Sequence, residues 1–249
     1  MKKEYINEVA WNQIFNFLKT CKNIYPGNGN KCKNFIEAIF WMARTGAQWR
    51  ELPEEYGNWN TVFKRFNEWS QKKIWAALLE FCVQDPDLEY VSIDATIVRA
   101  HACAAGYGDQ ETQGLGRSKG GFSSKIHAKV DALGNPLQII ITSGQRNDIT
   151  QAELLLKNVT DSHVLADKGY DSQAVRDQIL DQGGTPEIPS RSNSKSPAEY
   201  DKEIYKERHV IECFFSKIKY FRRVFSRFDK SARNFASILS FVGALIWLR

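Results

Sequence analysis

The feature that most constrains this chain is a change of period at Asp85, Pro86 and Asp87. Upstream, apolar residues recur at helical spacing: Val9, Trp11, Ile14, Phe15 and Leu18, then Phe35, Ile36, Ile39, Phe40 and Ala43, with Gly46 as a C-terminal stop. After a loop holding Pro53 and Gly57, Asn60 is placed to cap a third helix with the apolar face Val62, Phe63, Phe66 and Trp69, and a fourth covers 74–83. Downstream, EYVSIDATIVRAH alternates apolar and polar residues as a strand does. An all-α region, 1–84, therefore precedes an α/β region, 85–249.

The second region continues in mixed texture. A Gly-rich basic loop, GYGDQETQGLGRSKGG, lacks the phosphate-loop pattern, although Arg117 and Lys119 suit phosphate contact. KIHAKVDALGNPLQIIITSG reads as a β-hairpin, 150–158 as a helix, and the short strand of Val164 to Ala166 runs directly into Asp167. A helix over 172–182, a short strand EIPS, a polar linker and an apolar C-terminal helix complete the pattern.

With 249 residues, 43% of them apolar and 12% aromatic, the chain is long enough to bury a large core. Trp11, Trp41, Trp49, Trp59, Trp69 and Trp75 are expected mostly in it. No apolar run approaches the roughly 18 residues of a membrane span, and the first residues lack a signal-peptide core, so a cytoplasmic protein without membrane partners is expected. Cys21, Cys32, Cys82, Cys103 and Cys213 are scattered, which fits reduced thiols and argues against zinc. Net charge is +5, but between Arg208 and Arg233 eight cations meet two acids, a cluster that attracts polyanions. A solvated basic face is the plain alternative. The helices and the basic flank around Lys64 and Arg65 are compatible with a helix-turn-helix unit, and equally with a small bundle that never touches DNA.

The most informative stretch is 196–223. Ser196, Pro197 and Glu199 form a helix-start pattern, and Ile204, Ile211, Phe214, Phe215, Ile218 and Phe221 make an apolar stripe. Beside it Tyr205, Arg208, Glu212 and Lys219 fall within a wedge of roughly 60°. An i,i+4 ion pair between Arg208 and Glu212 is the plain reading. An acid at the edge of an apolar stripe, however, is partly desolvated and needs a compensating cation. Asp94 and Asp167 are each expected to end a strand, where sites form in α/β sheets. Three carboxylates brought together repel one another unless divalent cations neutralise them, and Mg²⁺ prefers such oxygen ligands.

The spacing Tyr205, two residues, Arg208, three residues, Glu212, six residues, Lys219 resembles the signature of bacterial insertion-sequence transposases of the DDE class. ADKGYDS resembles the segment around their second aspartate, while GAQWRELPEEYGNWNTVFKRFNEW, GRSKGGFSSKIHAKVDALGNP and FRRVFSRFDKSARNF resemble the insertion-sequence-five branch. The resemblance implies a ribonuclease H-like mixed-sheet catalytic domain behind a helical DNA-binding region, with Asp94, Asp167 and Glu212 as the catalytic, metal-binding triad. It implies two Mg²⁺ ions, with Mn²⁺ as a substitute, and double-stranded DNA as partner (terminal inverted repeats and target), bound as a homodimer. Tyr205, Arg208 and Lys219 are then expected on phosphates, and Arg222, Arg223, Arg227 and Lys230 on the DNA backbone without reading sequence. Lys64 and Arg65 are expected to help read the element's ends, Asp171 to cap a helix, and His127 and His163 to be structural. A decayed DNA-binding regulator and a nuclease without strand transfer are the rival readings.

Overall fold

The computed structural model describes residues 4–118, 120–192, 194 and 196–249, so Lys119, expected on DNA, lies outside the described residues. In chain order the helices and strands are α1 (Glu8–Thr20), α2 (Gly29–Thr45), α3 (Trp59–Gln71), α4 (Ile74–Cys82), β1 (Tyr90–Ala100), β2 (Gly116–Ser118), β3 (Gly121–Val130) and β4 (Pro136–Ser143). They continue as α5 (Ala152–Leu155), β5 (His163–Leu165), α6 (Gln173–Asp181), β6 (Thr185–Glu187), α7 (Lys202–Lys206), α8 (His209–Lys219), α9 (Arg222–Phe225), β7 (Ser226–Arg227) and α10 (Ala232–Trp247). Among the described residues no helix is long and apolar enough to cross a membrane.

These elements form two units. One comprises Met1–Gln84, Arg99–Gln113 and Ile218–Arg249, the other Asp85–Val98 and Gly114–Lys217. The expected break after residue 84 is there, yet the C-terminal helices group with the N-terminal ones. Sequence order alone cannot display such a discontinuous unit.

In the helical unit, α1 is capped by Asn7, whose side chain accepts from the Ala10 amide. Asn58, not Asn60, caps α3: its carbonyl oxygen takes the amides of Asn60 and Thr61. Helix α2 ends at Gly46 with φ of +65°, and a Cβ there would lie 3.0 Å from Phe228 and 3.1 Å from Arg222, so conformation and packing both require glycine. The core is aromatic. Trp75 packs edge-on against Phe241 of α10 and stands 5.4 Å from Trp69, which meets Phe35 edge-on at 5.0 Å. Trp11, Trp69 and Trp75 are buried, whereas Trp41, Trp49 and Trp59 are only partly so. The end of β1 pairs in parallel with β7 here, Arg99 with Ser226 and Ala100 with Arg227.

The α/β unit is built on a mixed sheet in which β3 neighbours β1, β1 pairs with β5 and β5 with β6. The expected hairpin is present as antiparallel β3 and β4, in register from Ser124 opposite Ser143 to Lys129 opposite Gln138, with a shift before Val130 meets Pro136. On the other side β1, β5 and β6 run parallel, with Ser92 opposite Leu165 and Leu165 opposite Glu187. Parallel neighbours need crossovers, and the helices supply them. Val91, Ile93, Val164, Ala166, Leu155, Val175, Ile179 and Ile188 close one buried core. A helical N-terminal region followed by a mixed sheet with helices is the expected arrangement.

The helix expected to open at Ser196 does not. Helix α7 starts at Lys202, capped by Asp201, whose carboxylate accepts from the Glu203 and Ile204 amides, and Glu207 and Arg208 separate α7 from α8. Asp201 has the acceptor geometry that the Ser196 pattern only imitates. The apolar stripe is real: Ile211, Phe214, Phe215, Ile218 and Phe221 are all buried.

Candidate active site

Asp94 lies in the middle of β1, not at its end as expected. The parallel register sets Ser92 opposite Leu165, and Asp94 and Asp167 stand two residues further along each chain. The pairing itself ends at Ser92 and Leu165, and Asp167 lies close enough for its charge to act on Asp94. Asp167 follows β5 and caps a short 3-10 turn, Lys168–Tyr170, its Oδ1 accepting the Gly169 amide at 2.8 Å. A Cβ on Gly169 would stand 2.8 Å from that same oxygen, so glycine is what lets the carboxylate close onto the backbone.

Asp94 is largely buried. Its Oδ1 accepts the Ala95 amide at 2.7 Å and its Oδ2 the Arg208 Nη1 at 2.8 Å. Burial raises its pKa, and the charge of Asp167 raises it further; the Ala95 amide and Arg208 oppose the shift without reversing it. Arg208, at the joint between α7 and α8, also donates through Nη2 to Glu212 Oε1, and its guanidinium centre is 5.9 Å from the centre of the Tyr205 ring. Glu212, expected to be partly desolvated at the edge of the apolar stripe, has a side chain that is 60% exposed and tied to Asp94 through Arg208. Arg208 thus ties together Asp94 and Glu212, which are 118 positions apart in sequence.

The donor chemistry suits a hard divalent cation: Asp94, Asp167 and Glu212 offer only carboxylate oxygens. Among the described residues, however, no three His, Cys, Asp or Glu side chains are gathered in metal-holding geometry. One guanidinium, that of Arg208, bonds both Asp94 and Glu212.

Sequence reasoning missed several neighbours. Tyr170, in the turn after Asp167, is fully buried, and its hydroxyl has no hydrogen-bond partner among the described residues; burial raises its pKa, followed by the charges of Asp94, Asp148 and Asp167. Lys125 pairs with Asp148 at 2.7 Å, and with Lys168, Arg191 and Asp167 these residues line a cleft of about 750 Å³. The only available signal was the density of charge flanking ADKGYDS, and it does not reveal which loop folds against it. Asp171, expected as a cap, instead pairs with Arg176 at 2.9 Å and accepts the Arg191 amide, while Ser172 caps α6. His163 bonds Glu187 at 2.9 Å and the buried His127 bonds Thr142 at 2.8 Å, with burial lowering the His127 pKa to about 4.

The expected DNA contacts divide. Arg117, Lys64 and Arg222 are exposed, and Tyr205 is partly buried at the site. Lys219, at the end of α8, is partly buried, and burial lowers its pKa. Three arginines do not stand where expected. Arg223 is buried, bonded to Asp229 at 2.9 Å and to the Ala47 carbonyl at 2.9 Å. Arg227 is fully buried and donates to the carbonyls of Asp229 and Lys230. Arg65 turns inward over Phe35 and Trp69, its guanidinium 4.4 and 4.8 Å from the ring centres, and donates to Pro26.

Residues 85–247 match the family described as "Transposase DDE domain", and the chain belongs to that family of DDE transposases. Within it the chain is of the IS4/5 kind, since residues 6–79 match "Putative transposase of IS4/5 family (DUF4096)". It is 40% identical over 130 residues to the "Putative transposase for insertion sequence element IS6501" of Brucella ovis, covering 51% of this chain and all of that one. To the "Putative transposase for insertion sequence element IS402" of Burkholderia cepacia it is 32% identical, covering 44% of this chain and 55% of that one. Among solved structures, a piggyBac transposase synaptic complex with hairpin DNA aligns with 75% of this chain and 48% of its own, at 14% identity and a TM-score of 0.45.

Proposed function

We propose that this chain is the transposase of an insertion sequence, binding the element's terminal inverted repeats and performing divalent-metal-dependent cleavage and strand transfer at its DNA ends. The observation that carries the reading is Arg208 joining Asp94 of β1 to Glu212, with Asp167, just past the parallel neighbour β5, near enough for its charge to act on Asp94. Asp94, Asp167 and Glu212 are the residues that would hold Mg²⁺, or Mn²⁺ in its place. Bound there, such ions supply activation of an attacking oxygen and stabilisation of a leaving one.

The chain's own groups do the rest. Arg208, backed by the Tyr205 ring, presents a planar fork suited to a phosphodiester. Lys168 and Arg191 offer positive charge along the cleft beside Asp167, and Arg117, Lys219 and Arg222 extend the contact to the backbone of double-stranded DNA. Lys64, on the exposed side of α3, is the candidate for reading the ends, and a homodimer would hold two ends together.

A joining assay tests the proposal. A duplex ending at the element's terminus with a free 3′-hydroxyl is incubated with target plasmid, protein and Mg²⁺. Joined product that disappears with Asp94→Asn is the expected result. Cleavage without joining identifies a nuclease, and end binding without either reaction identifies a regulator.

A further inference from the structure

We propose that Arg208 is the resident counter-ion of the metal site, and that a DNA phosphate must take it over before a divalent cation loads, so that DNA and metal bind cooperatively. The inference rests on the assignment of Asp94 and Glu212 as metal ligands.

Arg208 donates to Asp94 Oδ2 at 2.8 Å and, through its other terminal nitrogen, to Glu212 Oε1. Asp94 Oδ1 is already taken by the Ala95 amide. A divalent cation seated on both acids would lie beside the guanidinium that bridges them, and the two cations would repel each other at contact distance. Metal and Arg208 therefore compete for one place. Expelling Arg208 unaided would strip a charge-assisted bond from a guanidinium whose side chain is only 18% exposed. A phosphodiester removes that penalty, because its two free oxygens match the guanidinium fork as a carboxylate does.

The position of Arg208 suits such an exchange. It stands between the end of α7 at Lys206 and the start of α8 at His209, outside both helices, next to the largely exposed Glu212 side chain. The acids are thus neutralised before DNA arrives and become free for metal when it does. Linkage makes the coupling reciprocal: the factor by which DNA tightens metal equals the factor by which metal tightens DNA.

The test is Mn²⁺ binding by the full chain, read from the loss of the free Mn²⁺ spin-resonance signal, with and without a short duplex taken from the DNA flanking the coding region. In the parent, the duplex should tighten Mn²⁺ binding at least about tenfold, because without DNA the metal-competent arrangement is a minor population. Arg208→Gln should bind Mn²⁺ at about that tighter level without DNA, and the duplex should then add less than about twofold. Arg208→Lys, a point charge that cannot bridge both acids, should fall between them. An Arg208→Gln protein that binds Mn²⁺ no more tightly than the parent overturns the proposal. If that variant does not fold, equal Mn²⁺ affinity of the parent with and without duplex overturns it as well. Adding Asp94→Asn and Glu212→Gln to Arg208→Gln separates the two readings: Mn²⁺ binding that survives both changes refutes the ligand assignment itself, and the coupling with it.

Discussion

Asp167 stands two residues past Leu165, where the pairing of β5 with β1 ends, and its charge acts on Asp94, two residues past Ser92 on β1. This placement costs stability. Asp94 sits in a place where burial and the Asp167 charge both favour its protonated form. A folded-state pKa raised above the unfolded value means that the folded chain holds the proton more tightly. Stability is therefore highest below the ordinary carboxylate range and falls as pH rises through the folded pKa. Asp94→Asn should raise the melting temperature at pH 7 while abolishing strand transfer, and the gain should vanish when melting is followed below about pH 4. A lower melting temperature at pH 7 would show that the bond to Arg208 outweighs burial.

Gly169 gives a separate handle on the same site. Its missing Cβ is what allows Asp167 Oδ1 to receive the Gly169 amide at 2.8 Å. Gly169→Ala should push the carboxylate off that amide at a stability cost of about 1 kcal/mol, the value of one hydrogen bond. Strand transfer should fall much further, on the order of a hundredfold, because a misplaced catalytic group loses its orientation. Parallel melting and joining measurements check the split, and equal small effects on both would remove Asp167 from the chemistry.

Neighbouring arginines on α9 should behave as opposites. Arg223 and Asp229 are both buried and paired, so Arg223→Ala strands a buried carboxylate and should destabilise the fold by about 3–5 kcal/mol. Arg222 is exposed, and Arg222→Ala should leave the denaturation midpoint unchanged while making the salt dependence of DNA affinity shallower by about one unit of slope. Urea melts and binding isotherms at several salt concentrations distinguish the two.

What was legible in the sequence followed from period and from acids next to apolar runs. The hairpin of β3 and β4, helix α6, strand β5 leading into Asp167, and the buried stripe of α8 were each carried by a local pattern. The same patterns drew attention to Asp94, Arg208 and Glu212, which hydrogen bonds from Arg208 link, and to Asp167, whose charge acts on Asp94. Side-chain direction was not legible for arginine. A long apolar stem under a planar charge lies over aromatic rings as readily as it reaches into water, so Arg65, Arg223 and Arg227 looked like surface cations and are structural. The start of α7 was missed because the Ser196, Pro197 and Glu199 pattern imitates a cap that Asp201 provides five residues later. The grouping of Ile218–Arg249 with the first helices is a long-range fact with no local signature.

The α3 cations therefore have to be tested one at a time. Lys64 is exposed on the helix, whereas Arg65 lies over Phe35 and Trp69 and holds the Pro26 carbonyl at 3.0 Å. Arg65→Ala should lower stability by about 1–3 kcal/mol through the lost cation–π and hydrogen-bond contacts. Its effect on DNA should be confined to the unfolded fraction and be the same for every sequence. Lys64→Ala should leave melting untouched. If α3 reads the element's ends, that change should weaken binding to terminal-repeat DNA relative to scrambled DNA by about 1–3 kcal/mol, the worth of one base contact. Competition binding of both duplexes at fixed salt measures the difference directly. A uniform loss on both duplexes with a shallower salt slope would make Lys64 a phosphate contact and move sequence reading off this helix.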